Sequence, residues 1–306
     1  MKQLKACLLV ALAWCGFSQS GRAQTSSFFQ PHEAATDGTP VSATAVSSTA
    51  TLHQSGLAEG QSREEKQTTK EGAEKASFDI TPDFGSFTAG IVKGNSYTLP
   101  LYAKYKLTDR VGLNFNIPVQ YTEYRTPFGD LNVWGVTVNV GLPIRALIRD
   151  DKHPLAWTIT PSAGATGDYA DDPPSSTTYT GQGGITSMLS YENDHFTVSM
   201  GNQITAYTSL EKSGAYKFAG DVDQQIVKNG LKVSVPFGRR WVVEVYGIHT
   251  EFLQKFFMDR YFTVGGSVGY HLPSMKRGGY VKAGAYTDLG EGFRAAHFQF
   301  GTGWKF

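Results

Sequence analysis

The chemistry this sequence offers lies in isolated charges set on alternating stretches. Lys104, Lys106, Arg145, Lys228, Lys232, Lys282 and Lys305 fall on the polar side of such stretches, opposite Val, Leu, Ile, Phe and Trp. Glu244 and Asp288 are the clear acids on that side. Around a narrow aqueous passage these cations would form a basic ring that favours anions. Paired with acids they would instead brace the wall, and Glu244 is placed to partner several of the lysines. Asn114, Asn116, Gln120, Asn139, Thr158, Thr160, Ser199, Gln203 and Thr205 continue the same face as a hydrated surface suited to small polar solutes. No run of aromatics is expected on it. His249 and Glu251 could act as a base or hold a metal, but two residues do not make a site, and a solvated pair is the simpler reading. Gly-rich phosphate loops and zinc spacings are absent. Neither a catalytic residue, a metal site nor a cofactor is expected.

The elements that must position these residues have a period of two. Val111, Leu113, Phe115, Ile117, Val119 and Tyr121 alternate with Gly112, Asn114, Asn116, Pro118, Gln120 and Thr122. The pattern repeats over Trp134–Ile144, Tyr97–Leu107, Leu155–Ala165, Phe196–Ala206, Phe262–Leu272 and Val281–Leu289. It is weaker over Val227–Phe237 and Gly184–Tyr191. Trp241–Phe252 is irregular, with Glu244 on one face and His249 and Glu251 on the other, which predicts a bulge. Tight turns are expected at Thr108-Asp109-Arg110, Asn193-Asp194 and Gly238-Arg239-Arg240. Connections at Glu123–Leu131, Gly167–Thr180, Tyr207–Asp223 and Leu253–Arg260 should be mostly longer, which places them outside if the short turns face inward. A first strand near Phe84–Val92 and a last one ending at Phe306 bring the count to about twelve. The fold expected is an all-β, transmembrane, antiparallel up-and-down barrel with its apolar face outward.

Composition sets the limits of that barrel. Lys2 and Lys5, a short apolar stretch and Ser18-Gln19-Ser20-Gly21-Arg22-Ala23 have the layout of a secretory signal over residues 1–23. Residues 24–77 are expected to be a disordered periplasmic tail, because from residue 30 they hold no Phe, Tyr or Trp. Aromatics return at Phe78, and residues 78–306 form the barrel. Both cysteines, Cys7 and Cys15, lie in the signal, which leaves the rest without thiol chemistry. A net charge of +1 argues against nucleic-acid binding. The oligomeric state is not legible.

The tail Gln299-Phe300-Gly301-Thr302-Gly303-Trp304-Lys305-Phe306 resembles the C-terminal β-signal of bacterial outer-membrane proteins. The signal positions are Gln299, Gly301, Trp304 and Phe306. The resemblance implies the bacterial outer membrane, with its lipid and lipopolysaccharide and the barrel-assembly machinery as partners. Autotransporter translocators resemble the chain in strand number, signal and terminal Phe. Small solitary barrels, including the phenol-degradation outer-membrane type, resemble it in length and layout. Outer-membrane phospholipases carry a His-x-Ser pair, and here that pair is only His53-Gln54-Ser55, in the tail. Outer-membrane proteases use Asp and His pairs at outer strand ends; Asp168, Asp171 and Asp172 are expected on a loop that holds no His. The function expected is a passive, porin-like channel for small polar, including anionic, solutes. The alternatives are a barrel acting through its long outer loops, and a barrel lipase or protease.

Overall fold

The computed structural model describes residues 76–127, 129–148, 154–170, 176–214, 224–253, 259–272 and 279–305. The expected signal, nearly all of the expected tail and Phe306 lie outside them. Fourteen strand segments follow one another: β1 (Ala76–Ile80), β2 (Asp83–Ala89), β3 (Val92–Lys106), β4 (Gly112–Thr126), β5 (Gly129–Gly141), β6 (Ile144–Leu147), β7 (Leu155–Ala170), β8 (Ser176–Glu192), β9 (Thr197–Gly214), β10 (Gln224–Phe237), β11 (Trp241–Phe252), β12 (Arg260–His271), β13 (Gly279–Gly290) and β14 (Phe293–Lys305). They make a closed antiparallel barrel of twelve strands. Two of the twelve are split. Pro82 separates β1 from β2 and Pro143 separates β5 from β6, because proline has no N–H to give the ladder. The carbonyls at both breaks still accept, Pro82 from Phe300 N at 3.1 Å and Pro143 from Gly112 N at 2.9 Å. Closure comes from β14, which pairs β1 through Ser77 and Lys305 and pairs β2 through Ala89 and Phe293.

The wall is inverted relative to a soluble core. Val245 is 57% exposed and Phe298 53%, while Ser199 on the inner face is fully buried. Such an outer face suits hydrocarbon. Across the ladders Phe298, Phe84, Tyr97, Tyr121, Trp134 and Tyr169 stand side by side as one aromatic row on the half of the wall toward Thr126 and Ala170. The Tyr121 and Trp134 rings are 4.5 Å apart. Trp241 and Tyr270, 4.7 Å apart, lie near the opposite end. Two aromatic girdles bounding an apolar band are the pattern of a membrane barrel.

The tight turns form where expected and for local reasons. Thr108 Oγ1 accepts from the Arg110 and Val111 amides. Asn193 Oδ1 accepts from the His195 and Phe196 amides at 2.8 and 2.9 Å. Gly238 takes φ 63°, which L side chains avoid.

Three expectations need correction. Much of the expected outer loop length is strand: β4 runs to Thr126 and β5 resumes at Gly129, β7 and β8 reach Ala170 and Ser176, and β9 reaches Gly214. The bulge in Trp241–Phe252 does not occur, since β11 pairs both neighbours in unbroken register. Its mixed polarity is simply inner Glu244 against outer His249 and Glu251, the latter opposite Arg260. Register shifts occur instead at Arg145/Leu147 and Tyr179/Thr180. The first barrel strand begins at β1 and turns before Val92, at Gly90.

Candidate functional site in the lumen

The inner-face charges are concentrated on the β10–β14 side, and they are paired. Lys232 on β10 donates to Glu244 Oε1 on β11 at 3.1 Å, and Lys282 Nζ on β13 lies 3.8 Å from Glu244 Oε2. Ser234 and Ser267 hydroxyls donate to the same carboxylate at 3.3 and 2.9 Å. Lys232 is 1% exposed and Glu244 4%. An ion pair this dry survives only with its remaining hydrogen bonds satisfied, and the two serines supply them. Lys228 is buried nearby on β10. Sequence reasoning placed Glu244 beside several lysines, and register selects Lys232 and Lys282.

A second network fastens the closure. His297 on β14 meets Asp83 on β2 at 2.8 Å and lies 3.5 Å from Asp288 on β13. Gln299 Nε2 donates to the other Asp83 oxygen at 3.0 Å, and Thr263 donates to Asp288. The Tyr286 ring stacks on His297 at 4.3 Å. Gly85 makes room for this imidazole, because a Cβ there would stand 2.4 Å from it. Asp83 was missed in the sequence, as it sits just after Pro82 and outside any clear alternation.

The remaining cations are peripheral. Lys104 Nζ lies 4.9 Å over the Tyr102 ring. Lys106 pairs with Asp109 in the tight turn at 2.6 Å. That hydrogen bond, with the Lys106 charge, holds the Asp109 carboxyl below its ordinary range, and Arg145 adds to the effect. Arg145 was expected to face the passage. It lies on the exposed β6 and reaches the Asp109 carbonyl at 3.4 Å, at the rim. The Lys305 backbone pairs with Ser77, but its side chain lies outside the described residues, as does Phe306. Of the positions that carry the β-signal resemblance, Gln299 and Gly301 face inward; a Cβ on Gly301 would stand 2.6 Å from Thr81 Oγ1. Trp304 stacks on Phe78 at 6.1 Å.

The inner face does carry aromatics, contrary to expectation. Tyr207, Ile226, Phe252, Tyr261, Phe293 and Ala295 form a buried apolar cluster at the outer strand ends, with Phe87 and Ala89 against it. Tyr124 adjoins Phe87 at 5.5 Å. Most of these residues stand in stretches read as connections, or at strand margins. Asp168 is likewise on β7, not on a loop, and is buried. Asp171 and Asp172 lie outside the described residues. His249 faces outward between Asn229 and Phe262. No cluster of three or more His, Asp or Glu side chains suited to a metal occurs among the described residues.

The inner face of β7, β8 and β9 is different. Thr158, Thr160, Ser162, Gln182, Met188, Ser190, Gln203 and Thr205 are half-buried there, among the buried Thr166, Thr180, Thr186, Thr197 and Ser199. Between Asp168 at the outer end and Glu192 at the other, this face carries no charged side chain among the described residues.

No family model matches the chain, and no curated protein matches it. Solved structures do, at low identity. The translocator domain of the autotransporter NalP from Neisseria meningitidis has 11% identity and a TM-score of 0.57, covering 88% of this chain and 100% of that one. The β domain of the Bordetella autotransporter Brka has 11% identity and a TM-score of 0.53, covering 76% and 100%. The transport unit of the autotransporter AIDA-I from Escherichia coli has 10% identity and a TM-score of 0.52, covering 81% and 100%. The likeness is one of fold: an outer-membrane-type β-barrel.

Proposed function

We propose that the chain is a bacterial outer-membrane barrel that acts as a passive conduit for small, uncharged polar solutes along the β7–β9 wall. The observation that carries the reading is the partition of the inner face. Charge is buried and paired on β10–β14, whereas β7–β9 present hydroxyls and amides, several of them only half-buried, between Asp168 and Glu192. The basic ring is replaced by a braced wall, because Lys232 and Lys282 are held by Glu244 and Lys106 by Asp109. Among the described side chains an anion would find no ring of free ammonium groups to replace its hydration, and a neutral solute needs none. The likeness of fold and the outer apolar band support the membrane setting. The β-signal resemblance supports delivery by the barrel-assembly machinery.

The test uses single cysteines in a chain whose Cys7 and Cys15 are serine. A water-soluble thiol reagent should modify cysteines at Thr160 and Gln182 much faster than one at Thr263. Equal protection at all three positions would defeat the conduit.

A further inference from the structure

The β10–β11 turn carries two arginines that the lumen does not use. Gly238 reverses the chain there, and Arg239 and Arg240 follow it as the next two residues. The Arg240 carbonyl accepts from the His271 amide at 2.9 Å, which fixes the turn against the end of β12. Arg239, Arg240, Trp241 and Tyr270 together line an open cavity of about 400 Å3. Arg239 is exposed. Trp241 and Tyr270 are cross-strand partners, and both share the outward parity of the exposed Val243 and Val268. The cavity therefore belongs to the outer wall and not to the lumen. Toward the middle of the barrel that wall is apolar, through the exposed Val235, Val243, Val245 and Val268. No Asp or Glu occurs between Val235 and Val243 or between Val264 and His271.

We propose that this cavity binds the phosphate diester of an anionic phospholipid, in the membrane leaflet at the short-turn end of the barrel. The inference rests on the outer-membrane reading and is independent of conduction. Guanidinium groups present forked N–H donors with full charge, which match phosphate oxygens. Trp and Tyr set an apolar ring against acyl chains and a polar tip toward the headgroup, which is why they collect at membrane–water interfaces. Continuity with the apolar wall sets the depth, since the aromatic pair ends the band and the arginines lie just beyond it. A soluble anion would use the arginines alone, whereas a lipid engages all of the lining residues. A zwitterionic headgroup would bring its own ammonium toward two arginines and fits less well.

The test refolds the full chain in an uncharged detergent and counts retained lipids by native mass spectrometry. Dioleoylphosphatidylglycerol is the anionic probe and dioleoylphosphatidylcholine the zwitterionic one. Preferential retention of phosphatidylglycerol is expected. The preference should fall about fivefold in Arg239→Gln and about tenfold or more when Arg240→Gln is added, on the scale of one basic residue's attraction to anionic lipid. Arg125→Gln, at an exposed arginine near the opposite end of the barrel, should leave it unchanged. Heat-modifiable gel migration checks the folding of each variant. Equal retention of the two lipids, an unchanged preference in both arginine variants, displacement of the lipid by inorganic phosphate at equal concentration, or stronger retention of lipid A through the same arginines would overturn the site. A chain that inserts into phosphatidylcholine vesicles yet shows no lipid preference would refute the site and leave the membrane reading. A chain that inserts into no vesicle would refute both.

Discussion

Lys232, Lys282, Ser234 and Ser267 all converge on Glu244. Glu244→Leu removes the carboxylate and leaves the ammonium groups in a dry setting. It should destabilise the folded barrel by about 3–5 kcal/mol. Glu244→Met combined with Lys232→Met should cost less than Glu244→Leu alone, because Lys282 is then the only one of the two ammonium groups left without the carboxylate. Urea unfolding of the refolded chain measures both, and a double variant as unstable as the single one would refute the brace. Asp109 makes a milder prediction at the exposed turn. Its carboxyl should titrate below about 3.9, the ordinary aspartate value. A depressed native pKa means that any stability it contributes is present above the unfolded value and is lost as pH falls through the folded one. Carbon-detected NMR of Asp109 should show the low midpoint and its upward shift in Lys106→Met; a midpoint at or above the ordinary value in the native chain would count against the pair.

At the scale of elements, β2 must lie close against β14 to close the barrel, and Gly85 permits it. Gly85→Ala should destabilise by about 1–3 kcal/mol, the usual range for overpacking. Gly269→Ala, whose added Cβ would meet only ordinary contacts at 3.8 and 3.9 Å, should be close to neutral. Similar unfolding midpoints for the two would show that His297 does not crowd β2. What the sequence revealed follows the same geometry. Membrane-facing strands such as β4 and β12 were legible because lipid demands an apolar residue at every second position. Turns at Thr108, Asn193 and Gly238 were legible because one side chain or one backbone angle specifies each. The outer strand ends were hidden because they have no such constraint. Arg125 and Thr208 face outward beside inward Tyr124 and Tyr207, so the polarity contrast that marks a strand disappears. Asp83 and His297 were hidden for another reason: they are 214 residues apart, and only closure brings them together.

For the whole molecule, the outer face and the inner partition carry the account. The outer aromatic row and the exposed valines suit a bilayer, while the inner wall divides into a braced, charged side and one of hydroxyls and amides between Asp168 and Glu192. Both halves follow from twelve strands of fixed alternation, since each outward apolar residue puts a polar one inside. The fold was therefore legible almost entirely, and the site only in composition. Which polar residues pair and which stay open depends on neighbours several strands away. The central claim is that the neutral side conducts. Single-channel recording of the refolded chain in a planar bilayer tests it most directly. The account predicts discrete conductance steps with a reversal potential near zero in a salt gradient, since no ring of free charge lines the route among the described side chains. Absence of conductance, or a reversal potential close to that of a purely anion-selective pore, would contradict it.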